Sequence, residues 1–159
     1  MKKIDFGQTV SALANIGVVG GLVFLGLEIR QNSQSLEASA YRELTNSIVD
    51  MNQRSMARPD LNFSDYSQSD YESLPIETQR QLNAEVFLRL RHADLAYHHY
   101  ELGLLNTERR DSVIAPTRAG MCSWLFRSQW ATFRVAFVAS FQDFMDSVLS
   151  ECRPLSDAE

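Results

Sequence analysis

Residues 10–29 read VSALANIGVVGGLVFLGLEI, and the fold turns on this run. Twenty residues of α-helix rise about 30 Å, the thickness of a bilayer's hydrocarbon core. Ser11, Asn15 and Glu28 are its only strongly polar members, and Glu28 stands at the end, where a carboxylate reaches the headgroups. Lys2 and Lys3 precede the run and Arg30 follows it, so charge bounds it on both sides as two interfaces would. The expectation is a transmembrane anchor over residues 1–30, with Glu28 and Arg30 flanking the interface.

Three other readings fit less well. A cleaved signal peptide has the same basic start, but Leu27-Glu28-Ile29 offers no small-residue cleavage site. A buried core helix apolar on all sides is unusual in so small a protein. An interfacial helix needs a strong polar face, which this segment lacks.

Glycine is concentrated in the run, at Gly17, Gly20, Gly21 and Gly26. Gly17 and Gly21 form GxxxG, and Ala14 extends the stripe. In lipid, small residues let helix backbones approach closely, so Ala14, Gly17 and Gly21 form a candidate packing seam. Asn15 lies near the same level and can hydrogen-bond across it. The expected partners are the lipid bilayer and either further copies of the chain or other membrane-protein subunits. Orientation is weakly determined: Lys2, Lys3 and the amino terminus lean towards an N-terminus-inside anchor, which exports the rest of the chain.

After Ile29 the chain continues without Gly or Pro to Pro59. Leu36, Ala40, Leu44, Ile48 and Met51 recur at helical spacing, which predicts a stalk helix over residues 31–57, continuous with the anchor. Residues 58–74 form an acidic connector with Asp60, Asp65, Asp70 and Glu72. Their order does not match a calcium loop. Residues 75–152 read as a helical bundle domain of about three helices. The first opens at Pro75, buries Leu82, Val86, Leu90 and Leu95, and ends near Gly103. A short second helix opens at Asn106 or Thr107 and meets Pro116. The third, from about Ser123 to Ser150, carries Trp124, Leu125, Trp130, Phe133, Phe137, Phe141, Phe144 and Val148. Residues 153–159 read as a flexible tail. Strand signals are nearly absent, so the fold class is all-α: one N-terminal transmembrane helix, a long stalk helix and a small bundle.

Chemistry is poorly marked. In RHADLAYHHYE, Asp94 and His98 stand four apart, His98 and Glu101 three apart, and Glu85, His92 and His99 seven apart along a second stripe. No ExxH occurs, so the carboxylate–histidine set of a di-iron bundle is missing. GxSxG, HExxH and the P-loop are missing too. Cys122 and Cys152 lie thirty residues apart, outside any zinc spacing; two buried thiols are expected over one disulfide. The net charge of −5 disfavours nucleic acid, whose phosphates require a basic surface. Between Asp111 and Asp143 no acidic residue occurs, while Arg118, Arg127, Arg134 and several aromatics do. This suits a membrane-surface helix, but a core with arginines outside it is the preferred reading.

NIGVVGGLVFLGLEIRQNSQSLEASAYRELT, RHADLAYHHYELGLLN and FQDFMDSVL together resemble a family of small uncharacterised bacterial proteins. In that family an N-terminal hydrophobic helix runs into an IRQN-type motif, here Ile29-Arg30-Gln31-Asn32. The resemblance implies a membrane location and a helical domain, and it carries no catalytic residue, metal ligand or cofactor with it. The functional expectation is a non-enzymatic, single-pass protein of the bacterial inner membrane. It acts by assembly, as a homo-oligomer or as an accessory subunit. The alternatives are a homo-oligomeric pore, with Ser11 and Asn15 facing inward, and a membrane-tethered metal-binding or enzymatic domain.

Overall fold

The computed structural model describes residues 6–57 and 66–152. Lys2 and Lys3, residues 58–65 of the acidic connector (including Pro59, Asp60 and Asp65) and the tail expected at 153–159 lie outside the described residues. Every regular element among the described residues is helical. The chain forms two compact units, Met1–Ser39 and Ala40–Glu159.

The first unit holds most of α1 (Phe6–Met56). No side chain described in it is buried. Leu36, placed by its spacing on the stalk's buried face, belongs to this unit and is exposed. The buried stripe of α1 starts one turn later, in the second unit, with Ala40, Leu44 and Met51, and Ile48 packs at its edge.

The second unit adds five further α-helices. A short helix, α2 (Gln68–Ser73), lies inside the stretch read as connector. Ser67 and Asp70 form a reciprocal capping box at its start, which satisfies two of the amide groups every helix start leaves open. Helix α3 (Ile76–Glu101) buries Leu82, Val86, Leu90, Ala93 and Ala96 along one stripe, with His92 beside them. It ends where glycine is required. Gly103 has φ +71°, its amide donates to Tyr100, and the Leu104 amide donates to His99. That pair of bonds closes the last turn through a left-handed residue.

Helix α4 (Thr107–Gly120) starts on Asn106, whose side chain accepts from the Arg109 amide. Pro116 lies inside α4 and does not end it. Proline removes one helical hydrogen bond, and Pro116 stands on the exposed face, where water serves the freed carbonyl. At the α4–α5 corner a β-carbon on Gly120 would sit 3.1 Å from the Phe126 ring, so the bare glycine lets that ring close the core.

The closing segment is two helices instead of one. Helix α5 (Trp124–Phe133) gives way to a 3₁₀ turn (Arg134–Ala136), an extended pair at Phe137–Val138, and α6 (Ala139–Glu151). No Gly or Pro marks this break. Its benefit is tertiary: both limbs turn aromatic faces inward, so Phe126, Trp130, Phe137 and Phe141 are all buried. Phe141 stands 5.8 Å from Tyr97 and 5.4 Å from Phe137, and Tyr97 stacks on Phe144 at 4.8 Å. The aromatics of the acid-free stretch are therefore core, as preferred from the sequence.

Cys122 and Cys152 form a disulfide, with Cα atoms 5.3 Å apart. This corrects the expectation of two separate thiols. Cys122 precedes α5 and Cys152 caps α6, so the helix break that folds α6 back brings the pair together.

Candidate functional site

The apolar segment of α1 is the candidate. Its helix forms because β-branched and aliphatic residues alternate with small ones and nothing stops the hydrogen-bond ladder. Among the described residues it is the one segment long and apolar enough to cross a membrane, and none of that window is buried. Leu13, Ile16, Val18, Val19, Leu22, Val23, Phe24, Leu25, Leu27 and Ile29 are each exposed by half or more. They point to every side of the helix, so no single groove covers them. Fully burying one such side chain is worth about 1.5–3 kcal/mol; with these ten exposed by 51–68%, roughly 9–18 kcal/mol of burial is unmet.

The seam residues lie within this segment. An added β-carbon on Gly17, Gly20, Gly21 or Gly26 meets nothing within 4 Å. Nothing among the described residues therefore requires glycine at these four positions. Ala14, Asn15, Glu28 and Arg30 are likewise exposed.

The second unit places its polar groups differently. Asp146 of α6 accepts from the Trp130 indole at 2.9 Å and from the Arg134 guanidinium at 3.0 and 2.6 Å. Arg134 also donates to Gln142, and Gln142 donates to the Phe137 carbonyl. These bonds clamp the α5–α6 corner, and the Arg134 hydrogen bond holds the Asp146 carboxyl below its usual range. Arg91 donates to the Ala136 carbonyl at 2.8 Å and lies over the Phe137 ring at 4.4 Å. Arg118 pairs with Glu151 beside the disulfide.

The histidines do not converge. His98 is exposed, and Asp94 pairs with Arg91. Among the described residues no group of three His, Cys, Asp or Glu side chains is placed to hold a metal. His92 is buried, with neither ring nitrogen hydrogen-bonded. Burial first, and the Arg89 charge second, lower its pKa below the ordinary 6.5.

Sequence reasoning missed the Trp130–Arg134–Asp146 clamp and ranked the Cys122–Cys152 disulfide below two separate thiols. The spacing Arg134, Gln142, Asp146 is readable, but it gains meaning only once the helix is known to break at Phe133. Comparison with known protein families, characterised proteins and solved structures gives no match to this chain.

Proposed function

We propose that the chain is a non-enzymatic, single-pass membrane protein that works by assembly, with residues 10–29 of α1 spanning the bilayer. The observation that carries this is the fully exposed apolar surface of that segment. A surface apolar on all sides is stable only when lipid or other helices surround it. The assembly part rests on the seam. Glycines that the chain's own packing does not need, set at helical spacing with Ala14 and Asn15, suit close contact with a second membrane helix. In the second unit Arg91, Arg118, Arg134, Gln142 and Asp146 are engaged in internal structure, which favours a structural role over a catalytic one.

Two features support an exported second unit. A Cys122–Cys152 disulfide persists in an oxidising compartment and not in a reducing cytosol. Lys2 and Lys3, the only lysines in the chain, favour an N-terminus that stays on the cytoplasmic side. The resemblance to small bacterial membrane proteins favours the inner membrane as the location. Purification in mild detergent followed by mass measurement tests the proposal. More than one chain per particle, or a co-purifying membrane protein, is expected. A monomer without partners overturns the assembly reading, and a chain that stays soluble without detergent overturns the membrane reading.

A further inference from the structure

Glu85 and His92 on α3 face the C-terminal part of α1 within the second unit. Ser55 of α1 donates to Glu85 at 3.5 Å and accepts from Arg89 at 3.1 Å. One turn further along, an open cleft of about 210 Å³ separates Ser47, Met51 and Arg54 of α1 from Leu88, His92 and Leu95 of α3. His92 is 6% exposed. Both ring nitrogens lack a hydrogen bond, although each would have one in water. Leaving a neutral imidazole unsatisfied costs stability, and placing an imidazolium there costs far more.

The surrounding charges do not offset that cost. Arg54 reaches the cleft from α1, with Asp50 beside it in the adjoining groove. On α3, Arg89 pairs with Glu85, and Arg91, which also lines the cleft, pairs with Asp94. Along α4, Arg110 pairs with Asp111 and lies over Tyr100, two turns from His92. The charged residue of α5, Arg127, is half-buried. The fully buried side chains of α4 and α5 carry no titratable group. No carboxylate hydrogen-bonds either nitrogen of His92.

We propose that His92 makes the seat of α1 on α3 an acid-sensitive latch, whose protonation releases residues 44–56 of α1 from α3. Release opens the His92 ring to water from the α1 side and takes Arg54 of α1 away from it, while Arg89 and Arg91 stay beside it on α3. The docked form binds the proton less readily than the released form, because the folded value lies below 6.5. Docking is therefore strongest above about pH 6.5 and weakens as the pH falls from there towards the folded value. The limiting slope is about a tenfold change in opening per pH unit for one proton. The latch rests on contacts inside the second unit and is independent of where the first unit lies.

Hydrogen exchange of the full chain in detergent, corrected for intrinsic rates, tests the latch between pH 7.5 and 5.5. Protection over residues 44–56 should fall as the pH drops below 6.5, by at most about tenfold per pH unit, while α6 keeps its protection. His92→Gln and His92→Leu should each remove that dependence, and His98→Gln, at an exposed position, should keep it. Should His92→Gln fail to fold, His92→Leu, which leaves no polar group unsatisfied, supplies the comparison. Wild-type protection that does not change with pH overturns the latch. The same dependence in the folded His92 variant overturns it, as does loss of protection in all helices together.

Discussion

Reducing the Cys122–Cys152 disulfide is the perturbation whose size follows most directly from the structure. The bond closes a loop of thirty residues that contains α5, the 3₁₀ turn and all of α6. Opening a loop of that length restores chain entropy to the unfolded state, worth about 3.7 kcal/mol at 25 °C. Little else is lost. Cys122 is exposed and Cys152 half-buried, so the freed thiols leave no core cavity. The Arg118–Glu151 pair beside the bond is exposed and contributes little by itself. For the second unit, Ala40–Glu159, 1 kcal/mol moves Tm by about 4 °C, so reduction should lower Tm by roughly 15 °C. Circular dichroism of the full chain in detergent, with and without dithiothreitol, reads this directly. Alkylation and mass measurement confirm that the thiols were freed. A shift of only a few degrees with fully freed thiols would refute the loop-entropy reasoning. Alkylation of both cysteines without prior reduction would refute the pairing itself.

Four further outcomes are expected. Gly17→Leu together with Gly21→Leu should weaken assembly about tenfold or more, near 1.4 kcal/mol, without changing Tm of the second unit; equal association by cross-linking in membranes argues against the seam. Leu44→Ala should cost about 2–5 kcal/mol, because Leu44 is fully buried and ties α1 to the bundle; urea titration checks it. Asp146→Asn should lower Tm by removing the charge that holds Arg134 and the Trp130 indole. Since the folded Asp146 pKa lies below 3.8, its stabilisation is present above that value and disappears as pH falls further. The difference in Tm between wild type and Asp146→Asn should therefore shrink only below about pH 3.8, and a difference that shrinks at neutral pH contradicts the assignment.

The helices with local signals were legible from the sequence. Pro75, Gly103 and Asn106 punctuate α3 and α4, and the spacing Leu82, Val86, Leu90 marks the buried face between them. The long α1 was legible because nothing in it breaks a helix. The break between α5 and α6 was not, since WATFRVAFV contains no Gly or Pro and the turn is held by Arg134, Gln142 and Asp146 from later in the chain. The disulfide was hidden behind the same break. Leu36 shows the converse failure: its spacing matches Leu44, but the bundle reaches only as far as Ala40. The apolar segment with Gly17 and Gly21 was readable by composition, whereas the burial of His92 depends on which helices pack around α3, which no local pattern encodes.

The central claim is that residues 10–29 sit within a bilayer. Alkaline carbonate extraction of membranes from cells expressing the full chain tests it most directly. The account predicts that the chain stays with the membrane pellet, and that a chain lacking residues 1–30 is released. Recovery of the intact full-length chain in the carbonate supernatant would contradict it.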